Sequence, residues 1–109
     1  MLYFQSDDEI KSRAERRDIR IGFIGLGRVG LPLAATLAEG GFPVTGVDIN
    51  KGIVAAINDG RCPIPDEQGL TEVIGSITAD GRLRASCNLP DAKDCDVFII
   101  AVPTLIRDE

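Results

Sequence analysis

The sequence predicts an α/β fold built on a mostly parallel sheet, and three observations carry that prediction. Short apolar runs, Ile21-Gly22-Phe23-Ile24, Val44-Thr45-Gly46-Val47 and Val97-Phe98-Ile99-Ile100-Ala101-Val102, stop at a glycine, an aspartate and a proline. Between them, apolar residues recur at the three- and four-residue spacing of amphipathic helices. The resulting order is strand, helix, strand, helix, helix, strand, strand, without repeats or low-complexity segments, and such alternation packs helices on a parallel sheet.

Ile21 to Ile24 is apolar throughout, which suits a strand covered on both faces. After the glycine turn that follows it, Val29, Leu33, Leu37 and Ala38 recur at helical spacing. Pro32 falls in the first turn of that helix, where a missing N–H costs little, and Gly40-Gly41 supplies the stop. Val44 to Val47 is a second strand, ending at Asp48. Asn50 is placed to cap a second helix carrying Ile53, Val54 and Ile57, with Gly60 where a left-handed residue is wanted. Pro63 and Pro65 make residues 61–66 a loop. Leu70, Val73, Ile74 and Ile77 form the stripe of a third helix, broken by Asp80-Gly81. Leu83 to Cys87 is a weakly patterned strand, and Pro90 to Asp94 a helical turn or a loop. Val97 to Val102, mostly branched or aromatic, is the fourth strand, closed by Pro103.

Composition narrows the function. Of 109 residues, Met1-Leu2-Tyr3-Phe4-Gln5-Ser6 reads as the remnant of a cleavable purification tag, so residues 1–19 are taken as tag and charged lead-in and residues 20–109 as one domain. About one hundred residues bury roughly two-thirds of their unfolded surface, enough for one core. A net charge of −5 argues against nucleic-acid or anionic-membrane partners, which need a basic face. No apolar run approaches the roughly 20 residues of a spanning helix, and a soluble cytoplasmic protein is expected. Histidine is absent, and Cys62, Cys87 and Cys95 form no CxxC pair, so they read as reduced thiols and no metal site is expected.

The chemistry sits at the first turn. Gly25-Leu26-Gly27-Arg28-Val29-Gly30 follows a strand, opens a helix, and is followed roughly twenty residues on by an acidic residue, Asp48, at the end of the next strand. That context turns a weak GxGxxG match into a Rossmann-like dinucleotide site. Gly25 permits the tight turn, Gly27 lacks the Cβ that would hold a pyrophosphate away, and Gly30 allows close helix packing. Unpaired N–H groups at the helix start face the phosphates, which makes Arg28 and Val29 candidate contacts beside the glycines. Asp48 can accept from both ribose hydroxyls and would repel a 2′-phosphate, favouring NAD over NADP; as an alternative it caps the next helix. Thr104, at the carboxyl end of the last strand, is either a cofactor contact or a capping threonine.

With Ile24 to Ala34, Gly46-Val47-Asp48-Ile49-Asn50, Glu67-Gln68-Gly69-Leu70, Leu83-Arg84-Ala85-Ser86 and Ile100-Ala101-Val102-Pro103-Thr104 in register, the chain resembles the N-terminal domain of the UDP-glucose/GDP-mannose dehydrogenase family. The Arg-Ala-Ser and Ile-Ala-Val-Pro-Thr segments look most like UDP-N-acetylmannosamine or UDP-N-acetylglucosamine 6-dehydrogenases. The resemblance implies two NAD-dependent oxidations of a sugar C6 alcohol to a carboxylate, on a catalytic cysteine that lies far downstream in the family. It implies the glycine turn for the pyrophosphate, Asp48 for the adenosine ribose, and Val102, Pro103 and Thr104 near the centre of the dinucleotide. Three positions depart from the family pattern. Arg28 replaces an aromatic residue, Ile53 replaces a basic one for which Lys51 is the candidate substitute, and Leu105 replaces a proline.

The chain is thus expected to be a half-domain with about four strands and flanking helices, without catalytic residues of its own, binding NAD weakly and oxidising nothing. A UDP-sugar would bind only the full-length protein. Either a homodimer through the sheet edge at Val97 to Val102 is expected, or protection of that edge by the charged tail Arg107-Asp108-Glu109. Alternatives are the cofactor domain of a 3-hydroxyacid or 6-phosphogluconate-type dehydrogenase, a non-catalytic NAD-sensing module, and a structural domain that binds nothing.

Overall fold

Three apolar runs and the weakly patterned segment at Leu83 become four strands, and glycines end the helices between them. The computed structural model describes residues 18–64 and 69–101, together with Ser12. In chain order the elements are β1 (Ile21–Ile24), α1 (Gly30–Glu39), β2 (Val44–Val47), α2 (Lys51–Asn58), α3 (Leu70–Ala79), β3 (Leu83–Ser86), a 3-10 turn (Leu89–Ala92) and β4 (Val97–Ile100). The sheet runs β3-β2-β1-β4 with every neighbouring pair parallel. This is a Rossmann-like half-domain, as the alternation of elements predicts.

The helix boundaries have local causes. Asn50 accepts from the N–H groups of Gly52 at 2.9 Å and Ile53 at 3.1 Å, capping α2. Gly60 and Gly81, at φ +77° and +75°, turn the chain out of α2 and α3 through the left-handed region. The segment 90–94, left between a turn and a loop by its sequence, is largely a 3-10 turn with Pro90 at its start.

Residues alternate between two unlike faces. On one face Ile21, Phe23, Val44, Leu83 and Ala85 meet the helices and form the main core with Leu31, Ala34, Ile57, Ile74 and Ile77. Each large side chain fully buried there contributes about 1.5 to 3 kcal/mol of transfer free energy. The other face carries a smaller cluster in which Val47, Ala92 and Cys95 pack with Ile24 under the 3-10 turn.

One expectation changes in detail. Val29 and Leu33 do not face the core: Val29 is 73% exposed and Leu33 43%, while Leu31, Ala34, Ala35 and Ala38 are buried. Two stripes fit the same 3.6-residue period, and the alanine stripe wins because small side chains bring the helix axis close to the sheet. On β4, Val97 and Ile99 pack on the main core, whereas Phe98 is 45% and Ile100 72% exposed. Ala101 continues its ladder by donating to the Ile24 carbonyl at 2.8 Å, and residue 102 lies outside the described residues.

Candidate functional site

All four parallel strands point their carboxyl ends the same way, so the segments leaving β1, β2 and β3 meet at one end of the sheet. That end holds the glycine turn, Asp48 and the Ser86–Asn88 loop.

The three glycines of the turn are required for three different reasons. Gly25 has φ +104°, a conformation open to glycine and strained for other residues. At Gly30 a Cβ would overlap the Gly25 carbonyl oxygen and crowd the Ala101 side chain at 3.1 Å, so the helix start is pressed against the turn and the end of β4. At Gly27 a Cβ would meet nothing within 4 Å. The space above Gly27 is therefore open, and its bare backbone can be approached from outside.

The amides of the turn divide into two sets. Gly25 N–H donates to the Val47 carbonyl at 2.8 Å, Leu26 N–H to Asp48 Oδ2 at 2.9 Å, and Leu31 N–H to the Gly27 carbonyl at 3.0 Å. The N–H groups of Gly27, Arg28, Val29 and Gly30 have no acceptor among the described residues, and no side chain caps α1. A run of unpartnered donors at a helix start carries a positive potential and presents a cradle for an anion. Arg28 is exposed beside it.

Asp48 is half-buried, with both carboxylate oxygens directed by backbone: Oδ2 by Leu26 and Oδ1 by the N–H of Asn50 at 2.9 Å. Its own N–H donates to the Ser86 carbonyl at 3.0 Å, tying β2 to β3 at the same level. The helix-capping alternative for Asp48 fails, because Asn50 makes both cap bonds. Lys51, the first residue of α2, is exposed on this side. Ser86 Oγ donates to the Asp91 carboxylate and accepts from Asn88 N–H at 3.0 Å, which shapes the loop after β3. Val102, Pro103, Thr104 and Glu67 lie outside the described residues.

Leu26 was not among the sequence candidates, yet it is central to the geometry. Its side chain is fully buried over Gly46, where a Cβ would overlap it. The apolar residue between the first two glycines, read with a glycine in β2, was the available signal. A polar crevice between Arg20, Thr45, Arg84 and Asp94 opens near the amino ends of the strands and shares no residue with the turn. Among the described residues no three His, Cys, Asp or Glu side chains gather to hold a metal, and no helix is long and apolar enough to cross a membrane.

Known proteins share this sequence pattern and this fold. Residues 19–109 match the model of the UDP-glucose/GDP-mannose dehydrogenase family, NAD binding domain. The chain is 41% identical over 91 residues to UDP-glucose 6-dehydrogenase AglM of Haloferax volcanii, covering 84% of this chain and 21% of that protein. It is 46% identical over 90 residues to UDP-N-acetyl-D-mannosamine dehydrogenase of Campylobacter jejuni, covering 83% of this chain and 21% of that protein. Among solved structures, GDP-mannose dehydrogenase from Pseudomonas aeruginosa superposes with a TM-score of 0.78 at 35% identity, over 83% of this chain and 21% of that one. The chain thus spans about a fifth of the length of these relatives. With a glycine turn, free amides and braced carboxylate at one end of a parallel sheet, and with this match, the chain belongs to the UDP-glucose/GDP-mannose dehydrogenase family and is its NAD-binding domain.

Proposed function

We propose that this domain serves a nucleotide-sugar 6-dehydrogenase, holding NAD for the oxidation of a sugar C6 alcohol to the carboxylate. The observation that carries the site assignment is the juxtaposition of four unpartnered amides at Gly27 to Gly30 with the carboxylate of Asp48. The residues present fit the cofactor: open space above Gly27 admits a pyrophosphate, and a carboxylate accepts what ribose hydroxyls donate. Gly25, Gly27, Arg28, Val29 and Gly30 hold the pyrophosphate, with the Arg28 guanidinium free to pair with a phosphate oxygen. Asp48 takes the adenosine ribose, and Lys51 stands on the same side for the adenine end. Val102, Pro103 and Thr104 are assigned the middle of the dinucleotide. NAD, when bound, accepts the hydride; the chain's own residues bind and orient it, and no group assigned here transfers a proton.

The substrate belongs to the whole enzyme. A UDP-N-acetylhexosamine is our reading, supported by the Arg84-Ala85-Ser86 motif and by relatives named UDP-N-acetyl-D-mannosamine dehydrogenase. Residues 20–109 constitute the NAD-binding unit, and residues 1–19 a tag remnant and lead-in. A homodimer through the β4 edge completes the proposal.

Calorimetric titration tests the site. NAD should bind and NADP should not, and Asp48→Ala should weaken NAD by about 1.5 to 3 kcal/mol, the range for hydrogen bonds to a charged group. Equal affinity for the two cofactors, or an unchanged Asp48→Ala variant, removes Asp48 from the ribose.

A further inference from the structure

Resting on that NAD-binding reading, we propose that Asp48 also acts as a positioning residue for the pyrophosphate, bracing the glycine turn from β2 through the Leu26 amide. Its influence therefore reaches a part of the ligand that the carboxylate never touches.

The turn is fastened to the end of β2 at three consecutive points. Gly25 N–H donates to the Val47 carbonyl at 2.8 Å, Leu26 N–H to Asp48 Oδ2 at 2.9 Å, and the Leu26 side chain lies buried on bare Gly46. The next four N–H groups are the unpartnered ones. Leu26 is thus the last fixed point before the phosphate cradle, and its direction propagates into the peptide planes that follow. The second carboxylate oxygen is held as well, by Asn50 N–H at 2.9 Å, and Asn50 in turn caps α2 through Gly52 and Ile53. Asp48 cannot swing without releasing either the turn or the start of α2.

A carboxylate offers about four lone-pair directions. Two are taken by Leu26 and Asn50, and the remaining ones are left for ribose hydroxyls. A single side chain then couples the two halves of the site: the protein uses one edge of each oxygen to shape the pyrophosphate cradle and presents the other to the sugar. A carboxylate that merely met the ribose would need neither amide.

Inorganic pyrophosphate, which has no ribose, separates the two roles. In the 109-residue chain, its affinity is read from amide shifts of Gly27 to Gly30, alongside hydrogen exchange at Leu26 and binding of NAD. Asp48→Asn keeps the side-chain shape but turns an NH₂ toward either Leu26 or Asn50, opposing donor to donor. The expected result is a pyrophosphate affinity lowered by about tenfold, the size of one charge-assisted hydrogen bond, with faster exchange at Leu26 and an unchanged circular dichroism spectrum. An Asp48→Asn protein that loses NAD but keeps wild-type pyrophosphate affinity overturns the brace and leaves the ribose assignment standing. A wild-type chain that binds neither ligand overturns both. Should Asp48→Asn fail to fold, the wild type decides alone: Leu26 protected from exchange while Gly27 to Gly30 exchange fast supports the brace, and equal rates across all five overturn it.

Discussion

Gly27 and Gly30 share a motif but should fail in opposite ways when given a methyl group. Gly27→Ala finds open space, so its stability should stay within about 0.5 kcal/mol of wild type, while on the proposed reading the added Cβ would stand where the pyrophosphate approaches. Gly30→Ala collides with the Gly25 carbonyl and the end of β4, and should lose about 1 to 3 kcal/mol as an overpacked site does. Thermal unfolding with and without NAD separates them: Gly27→Ala melts normally but is no longer stabilised by the cofactor. The tight turn at Gly25 and the close packing at Gly30 were legible in the sequence, because their place between a strand and a helix assigns them. The double engagement of Asp48 was not, since it depends on Leu26, distant along the chain and brought near only by strand pairing. A second test at this scale concerns Cys95, whose thiol burial pushes above its ordinary value of 9.0, a Thr45 hydrogen bond partly opposing. The folded thiol keeps its proton where the unfolded one releases it, so stability should fall as pH rises past 9.0 and level off once the folded thiol ionises. At neutral pH an alkylating reagent should modify Cys95 more slowly than the half-buried Cys62 and Cys87, as peptide mass spectrometry would show.

Helices and strands were readable where a single signal served a single purpose. Asn50 as cap and Gly60 and Gly81 as stops act locally, and the structure places them as the sequence predicts. The buried stripe of α1 was readable in part: Ala38 is buried and Leu37 packs on the core as their spacing predicts, whereas Val29 and Leu33 share the period but lie outside the stripe of Leu31, Ala34 and Ala35. Continuous apolarity identified β4 as a strand without telling which neighbours its second face has. At the opposite edge, Asn58 makes a contact the sequence did not announce. Its amide donates to the Ala85 carbonyl at 2.8 Å and accepts from the Ala85 N–H at 3.0 Å, imitating a strand across the outer side of β3. Asn58→Ala should destabilise the domain by about 1 to 3 kcal/mol, since it strands two groups of a buried residue. Chemical denaturation measures this, and a loss no larger than that of exposed Asp59→Ala would show that water replaces the lock.

The whole molecule has two unlike sheet edges. On β4, Val97 and Ala101 direct their N–H groups toward β1, so Phe98 and Ile100 direct theirs outward, and no acceptor among the described residues meets them. With their side chains also exposed, this edge should support the proposed homodimer, and Ile100→Lys should suppress it in light scattering across a range of concentrations. A wild-type chain that stays monomeric throughout would remove the dimer. The Asn58 clasp on Ala85 then governs what such association can become. One open side and one side clasped at Ala85 would allow two copies to join back to back, after which each would present only its clasped border. If the proposed pair forms, growth should end there instead of running on as a fibre. On that reading a side chain amide at the far edge would act as a chain terminator for the sheet, and its removal should convert a bounded equilibrium into open-ended polymerisation.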